Sequence, residues 1–510
     1  MGLAVNTVFA QSSDKPTADE YFEKANYVQA LDEYFKLEKK DPNDIEIKHH
    51  IGTCCLKIHD YKSKALNYLK FCYDKGGYKN ELLLEMAQAY HYLNDFNNAI
   101  IFYNKFHEKA PAKNYLLIDH YIETCENAKE LIKKRVNVTF ENLGKEINTK
   151  YPDYFPFVTK DHGTLFFTSR RDANTGSLRG YNGYFTSDVY TSKVTAGQWT
   201  KAKNMGAPLN SAEDEECVGI SPDGKSMIIY VENPDFLSDL FHSEISKTKA
   251  FARPVPFNEP VNTEQLEYEG CYAQDANTLY FTSNRKGGLG ETDIYSTHRL
   301  PTGEWGVPQN LGAEINSPFK DAFPVVSDDG QTLYFSSQGH TSMGGFDIFK
   351  SKWNASTQKW GAPVNIGYPV NTSDDDMMFS LAGNGRDGYI SACRKEGLGD
   401  LDIYKIIFND VEQQLTALVG TVKAADTTLK IINADISITD LKTNDELDVK
   451  EINKKNGKYI FIVEPGKYRI NISAKGFADF KEDIIVYDKS DFSPELTKHF
   501  LLQASENRKQ

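Results

Sequence analysis

Asp293-Ile294-Tyr295 is one of five copies of a phrase in which an Asp precedes two apolar or aromatic residues. The other four copies are Asp188-Val189-Tyr190, Asp239-Leu240-Phe241, Asp347-Ile348-Phe349 and Asp402-Ile403-Tyr404. Successive copies begin 51, 54, 54 and 55 residues apart. A fixed period of about 50 residues that contains several short strands is the sequence signature of a β-propeller. Because propellers mostly serve as binding platforms, the spacing favours recognition over catalysis.

Each repeat also carries the signals of antiparallel strands. An Asp-Gly pair separates two apolar runs, at 223–224 in the second repeat and at 329–330 in the fourth. Gly accepts the positive φ that a tight turn needs, so the pair predicts a β-hairpin. Gly-rich stretches follow at 287–290, 344–345 and 397–399, but none stands between a strand and a helix, as a phosphate-binding loop would.

The two ends of the repeat region predict how the ring closes. The fifth repeat stops at Phe408 without a final strand, whereas Asn142-Leu143-Gly144 matches Asn310-Leu311-Gly312 of a complete repeat. A strand at 136–144 would therefore complete the last blade and leave no open sheet edge. The sequence predicts a β-propeller over 136–410 with five blades, and the alternative of a sixth, degenerate blade stays open.

One carboxylate recurs five residues after the Asn of every repeat. The five residues are Asp153, Glu215, Glu267, Asp321 and Asp376. Each precedes the predicted innermost strand, so the five could surround one mouth of the central channel and bind a cation or a basic peptide. The alternative is structural, with each carboxylate accepting hydrogen bonds within and between blades. Arg170, Arg285 and Arg394, at the end of the second strand in three repeats, are candidates to pair with the aspartates of the repeated phrase.

The first part of the chain has a different period. Asn26-Tyr27, Asp60-Tyr61 and Asp95-Phe96 recur at 34 to 35 residues, each followed by a small Ala in an amphipathic pattern. This period and pattern are typical of tetratricopeptide repeats, which we predict over 16–135. Stacked helix pairs of this kind form a groove that binds peptides or partner helices. A spacer without a groove ligand is the alternative.

The remaining segments are a small β domain and two ends. Short alternating strands with turn residues between them predict a β-sandwich over 411–503. Residues 504–510 are polar and are predicted to be a tail. Residues 1–15 resemble the end of a secretory signal, with small residues before Gln11, and are predicted to be a residual leader or disordered.

Composition narrows the classes of function. The net charge is −14 and the pI is near 5.4, so nucleic acid is not expected as a partner. No run of 18 apolar residues is present, so no transmembrane segment is predicted. The seven cysteines lack metal-ligand spacing, and no metal or cofactor is expected. Neither a Gly-x-Ser-x-Gly elbow nor a His-Glu-x-x-His pair occurs, so no enzyme activity is expected.

These modules together carry a family resemblance. Ser221-Pro222-Asp223-Gly224, with the repeated Asp phrase, resembles the Tol-B-type, WD40-like propeller repeat. Gly457-Lys458-Tyr459 and Pro465-Gly466-Lys467-Tyr468 resemble the carboxypeptidase-regulatory, transthyretin-like domain. Tetratricopeptide, propeller and regulatory-like domains in this order resemble envelope proteins of gliding and type IX secreting bacteria. Those relatives often add an outer-membrane-protein-A-type domain, so peptidoglycan is an expected partner only if such a domain follows.

The resemblance implies a non-enzymatic periplasmic scaffold, associated with the outer membrane, that binds proteins of a secretion or gliding machine. The helical groove would bind one partner and a propeller face another. One alternative is a periplasmic glycan- or peptide-binding protein that uses the propeller channel. A propeller hydrolase is the other alternative.

Overall fold

The computed structural model describes most of the chain. The described residues are 15–76, 79–159, 163–180, 182–221, 223–233, 236–246, 250–327, 329–381, 386–410, 416–442, 444–487 and 495–505. The predicted leader and tail lie outside these ranges, apart from residue 15 and residues 504–505.

The N-terminal region is helical. Its described residues form seven α-helices: α1 (Lys15–Glu23), α2 (Tyr27–Glu38), α3 (Ile45–Lys57), α4 (Lys62–Lys75), α5 (Glu81–Tyr92), α6 (Phe96–His107) and α7 (Tyr115–Leu131). Asn26 and Asp95, the polar residues of the recurring phrase, cap α2 and α6 by accepting backbone N–H groups at 3.1 and 3.3 Å. The small residues pack where helices cross, since a side chain at Gly52 of α3 would collide with Leu69 of α4.

Five antiparallel sheets of four or five strands follow, one for each repeat. Blade 1 contains β2 (Asp153–Val158), β3 (Thr164–Ser169), β4 (Asp188–Thr195), β5 (Gln198–Trp199) and β6 (Lys203–Asn204). Blade 2 contains β7 (Asp214–Ile220), β8 (Ser226–Asn233), β9 (Phe236–Glu244) and β10 (Val255–Pro256). Blade 3 contains β11 (Glu267–Tyr272), β12 (Thr278–Ser283), β13 (Asp293–His298) and β14 (Gln309–Asn310).

The last two blades complete the ring. Blade 4 contains β15 (Asp321–Val326), β16 (Thr332–Ser337), β17 (Asp347–Asn354), β18 (Lys359–Trp360) and β19 (Val364–Asn365). Blade 5 contains β20 (Met377–Leu381), β21 (Asp387–Ala392), β22 (Asp402–Phe408) and, from the other end of the region, β1 (Val138–Asn142). The innermost strands contact one another in the order β2, β7, β11, β15, β20 and back to β2. The closed ring agrees with the five blades favoured by the repeat spacing.

Closure uses the N-terminal strand, as the sequence predicts. β1 pairs with β22 in antiparallel register, with Asn142 opposite Tyr404 and Val138 opposite Phe408. The match extends to the register, because Asn310 stands opposite Tyr295 in the same way in blade 3. This pairing covers the edge that blade 5 would otherwise expose.

The Asn of each repeat joins neighbouring segments through its side-chain amide. Asn210 accepts from the Val189 N–H at 3.0 Å and donates to the Val189 carbonyl at 2.9 Å. The same paired bonds join Asn148 to Ile403, Asn262 to Leu240, Asn316 to Ile294 and Asn371 to Ile348. An amide supplies both a donor and an acceptor, so Asn satisfies a buried backbone that an apolar residue would leave unpaired.

The C-terminal region packs two sheets face to face. Its strands are β23 (Thr416–Ala424), β24 (Ala434–Asp440), β25 (Glu446–Glu451), β26 (Lys458–Val463), β27 (Gly466–Ala474), β28 (Phe480–Val486) and β29 (Glu495–Leu502). One sheet has the order β26-β23-β29 and the other β25-β24-β27-β28. Alternate residues point inward to a core that includes Leu418, Ile436, Phe461 and Ile470.

Candidate functional site

The five repeat carboxylates lie inside the blades. Their residues are between 0 and 4% exposed. In each case the residue four positions earlier donates to the carboxylate: Thr149 to Asp153 at 2.6 Å, Ser211 to Glu215 at 2.9 Å, Thr263 to Glu267 at 2.8 Å, Ser317 to Asp321 at 2.5 Å and Thr372 to Asp376 at 2.5 Å, all through backbone N–H groups. These are the contacts of the structural interpretation, and a binding role for the five residues stays a prediction.

Burial dominates the electrostatics of three of these carboxylates. It raises the pKa of Glu215, Asp321 and Asp376 to about 7, although hydroxyl and backbone donors oppose the rise. Because these carboxyl groups are buried and accept hydrogen bonds from their own blades, the arrangement supports blade architecture more than ion binding.

The predicted arginine partners need one correction. Arg285 pairs with Glu267 at 3.1 Å, but Asp153 pairs at 2.5 Å with Arg171 and not with Arg170. Arg170 instead contacts Asp214 and Glu216 of the next blade, each at 3.0 Å. The prediction that Arg170 and Arg285 pair with the aspartates of the repeated phrase was wrong, because both arginines pair with carboxylates of inner strands. Blade 1 has two consecutive arginines, and the sequence does not say which one turns inward.

The central channel is filled at one level by apolar side chains. Phe155 of β2 and Phe323 of β15 approach with ring centroids 5.8 Å apart, and Met378 of β20 packs in the same cluster. All three residues have positive φ, at bulges where the inner strands shift register. The bulges turn these side chains toward one another, so the channel is not an open tube at this level.

One loop of the propeller carries several of its contacts with the helical region. The loop between β16 and β17, residues 338–346, is called here the blade-4 loop. The His120 ring donates to the Gln338 carbonyl at 2.5 Å, the Asn127 amide to the Ser342 carbonyl at 3.0 Å, and the His91 ring to the Met343 carbonyl at 2.9 Å. Three side chains from α5 and α7 thus donate to three backbone carbonyls of this loop.

Met343 anchors this loop. Its side chain is fully buried and belongs to the hydrophobic core of the helical region. Leu289 and Leu398 occupy the same position in blades 3 and 5, four residues before the repeat Asp, and all three donate their N–H to that Asp. Leu289 is 52% exposed and Leu398 49% exposed, whereas Met343 is 0% exposed. One copy of a repeated surface residue has therefore become a core residue of another module.

An ion cluster stabilises the edge of the contact. Asp374 of blade 5 contacts Lys62 of α4 and lies 3.6 Å from the ring of His59. Burial disfavours the charged forms of Asp374, His59 and Lys62. For Asp374, the hydrogen bonds and positive charges of His59 and Lys62 outweigh burial, so the pKa of this carboxyl is lowered. Burial likewise opposes the charge on His59, yet the contact with Asp374 raises the pKa of that imidazole. The cluster is charged on both sides of the interface near neutral pH.

A cavity of about 320 Å³ remains beside the docked loop. Tyr92, Tyr121 and Lys62 line it from the helices, and Phe319 and Asp375 line it from the propeller. It can hold several ordered waters or one side chain of another molecule. Part of the helical surface is thus covered by a segment of the same chain.

Sequence reasoning missed the docking residues. Nothing in the repeat pattern distinguishes Met343 from Leu289 and Leu398. The residues that could have indicated a docking surface were His91 and His120. Both are buried, and a buried histidine needs a hydrogen-bond partner.

The described residues contain no group of three His, Cys, Asp or Glu side chains placed to hold a metal ion. In the same part of the chain, none of the helices combines the length and the apolar character that crossing a membrane requires.

No family model matches the chain, and no curated protein matches it. Among solved structures it resembles TolB from Acinetobacter baumannii, with 16% identity and a TM-score of 0.32, over 50% of this chain and 54% of that chain. It also resembles the periplasmic gluconolactonase PpgL from Pseudomonas aeruginosa, with 9% identity and a TM-score of 0.29, over 61% of this chain and 88% of that chain. The WD40 repeats of RRP9 match with 9% identity and a TM-score of 0.30, over 53% and 97%. The chain spans about half the length of TolB, and the propeller assignment rests on its own strand pairing.

Proposed function

We propose that the protein is a non-enzymatic scaffold that binds protein partners in the bacterial periplasm, at the outer membrane. The helical region is proposed to be a set of tetratricopeptide repeats at 16–135, and the C-terminal sandwich at 411–503 a carboxypeptidase-regulatory-like domain. By the resemblance of this module order, the partners belong to a type IX secretion or gliding machine.

The observation that carries the proposal is the docking of the helical region on the propeller. Two modules that commonly bind proteins are joined through the buried Met343, three carbonyl hydrogen bonds and the Asp374 ion cluster. Such a joint fixes the relative placement of two binding modules, which a scaffold needs and a single-site enzyme does not. It also means that a partner meets surfaces other than the part of the groove that the blade-4 loop fills.

The test is crosslinking of the protein in its native envelope, followed by affinity purification and mass spectrometry. Recovery with secretion or gliding components supports the scaffold. Recovery of the chain alone, at the same crosslinker dose, overturns it. A matched sample with Met343→Ala reports whether the docked arrangement is needed for partner recovery.

The alternative of a ligand in the propeller channel has less support. Phe155 and Phe323 meet across the ring and occupy the space that an oligosaccharide or peptide would need at that level. The hydrolase alternative has no sequence motif behind it, since neither a Gly-x-Ser-x-Gly elbow nor a His-Glu-x-x-His pair occurs.

A further inference from the structure

A cleft of about 440 Å³ lies along the seam between blades 2 and 3. Phe257 and His242 line it from blade 2, and Tyr272 and Trp305 line it from blade 3. The rings form a continuous wall, with centroids 5.0 Å apart for His242 and Phe257 and 6.3 Å apart for both Phe257 and Tyr272 with Trp305. None of these residues belongs to the helical contact or to the repeat carboxylates.

Trp305 differs in its packing from the equivalent residues of blades 2 and 4. Trp360 packs against Tyr280 of the preceding blade at 6.2 Å, and Phe251 packs against Phe166 at 5.9 Å; both are 6% exposed. Strand register places the aliphatic Ile228 at the corresponding position before Trp305. Trp305 is half-buried and lines the cleft.

Several residues that line the cleft differ from the residues at the same positions of the other blades. Tyr272 stands where the other inner strands end in Val158, Ile220, Val326 and Leu381. Phe257 replaces an aliphatic residue, and Pro256 before it replaces the Asn that elsewhere donates to the repeat Asp. Burial raises the pKa of Asp239 to about 6. Departures from the repeat that gather along one seam point to a role for the seam other than folding.

The charge of the rim selects the class of ligand. Glu244, Glu259 and Glu304 line the cleft and are exposed, against a single cation, Arg299. The Arg299 guanidinium already lies 4.6 Å from the centre of the Trp305 ring. An aromatic wall with a surplus of carboxylates attracts a cationic side chain, through the ring faces and through the charges.

We propose that the cleft between blades 2 and 3 binds an arginine- or lysine-containing segment of a partner protein, with the cationic side chain against the Trp305–Tyr272–Phe257 wall. The inference names the chemistry of one partner and so rests on the scaffold role proposed above. It locates that contact away from the helical groove and the propeller channel.

The experiment titrates the full chain with acetylated tetra-arginine amide and tetra-lysine amide, by calorimetry and by tryptophan fluorescence. Trp305 is one of four tryptophans, and Trp305→Phe identifies its share of the signal. We expect saturable binding that weakens with added salt. Tetra-glutamate, cellohexaose and chitohexaose are titrated in parallel, and binding of a sugar at the same cleft overturns the proposal.

Two double variants test the site, one in its buried aromatic lining and one in its charged rim. Tyr272→Val with Phe257→Leu restores residues that other blades use at these positions, so the variant is expected to fold while binding weakens about tenfold. Glu244→Gln with Glu304→Gln removes two rim charges and is expected to weaken binding about tenfold at low salt, with little difference at high salt. Glu291→Gln is a control for the loss of an exposed carboxylate outside the cleft, with unchanged binding.

Equal affinity of both double variants and the native chain, with unchanged thermal unfolding, overturns the proposal. The scaffold role fails separately, since it is decided by partner recovery from the envelope and not by peptide titration. Partner recovery without peptide binding would retain the scaffold and reject the cleft.

Discussion

Replacing Met343 by Ala should release the helical region from the propeller while both regions stay folded. The side chain is fully buried in the helical core, and Met-to-Ala changes at such positions cost about 2–5 kcal/mol. The three carbonyl hydrogen bonds come from the backbone of the blade-4 loop and are retained until the loop leaves. We therefore assign about 3 kcal/mol of docking free energy to this one side chain.

Hydrogen exchange of α5 and α7 measures this cost. A loss of about 3 kcal/mol corresponds to exchange about one hundredfold faster wherever undocking limits protection. Leu289→Ala is the matched control, because it changes the equivalent residue of blade 3, which is 52% exposed. It should change exchange less than about threefold, as surface substitutions usually stay within about 0.5 kcal/mol. Equal protection of α5 and α7 in the Met343→Ala variant and the native chain would refute the reasoning.

Three further predictions concern charge and packing. Asp374→Asn leaves buried Lys62 unpaired and should lower the docking free energy by about 3–5 kcal/mol, measured by the same exchange experiment; unchanged exchange would contradict it. The pKa of His59 is raised, so its contribution to docking stability is present below about pH 6.5 and is lost as the pH rises through the pKa of the docked state. Burial lowers the pKa of His91, so the contribution of His91 is present above about pH 6.5 and is lost as the pH falls. When the pH is lowered from 8 to 6, the native chain should therefore gain docking stability relative to the His59→Gln variant and lose it relative to the His91→Gln variant. If docking stability depends on pH in the same way in all three proteins, both assignments are wrong. The pKa of Asp321 is raised to about 7, so its neutral form stabilises the fold below about pH 4, and this contribution disappears as the pH rises through 7. The melting temperature of the propeller should therefore fall between pH 5 and 8, and Asp321→Asn should make this fall smaller. Circular dichroism measures the melting temperature.

Repetition made the propeller predictable. Five copies of the Asp phrase agree on where the third strand of each blade begins, so errors in any one copy are corrected by the others. The closing strand was predictable for the same reason, since Asn142-Leu143-Gly144 repeats a phrase whose pairing recurs in blade 3. At the repeated phrases, the secondary structure that the local sequence favours is the one that the propeller requires.

Contacts between modules were not predictable in the same way. Met343, Leu289 and Leu398 are interchangeable by sequence, and only the arrival of α5 and α7 makes one of them a core residue. The choice between Arg170 and Arg171 depends on which side chain faces the blade interior, which strand alternation alone does not specify at a strand end. The cleft between blades 2 and 3 was visible as departures from the repeat, but their convergence required the strand register.

The closing strand also determines how the molecule carries a pulling force. The helices lead directly into β1, and the sandwich follows directly after β22, so both neighbours attach to the same blade. Val138 and Phe408, the residues nearest the two attachments, stand opposite each other at one end of the ladder. Tension between the helical region and the sandwich would load that end first, where Asn137 donates to Asp410 at 2.8 Å, and would then open the strand pairs one after another. Once the docked helices have been released from the blade-4 loop and Asp374, blade 5 would therefore open by unzipping, while the other four blades would lie outside the line of force.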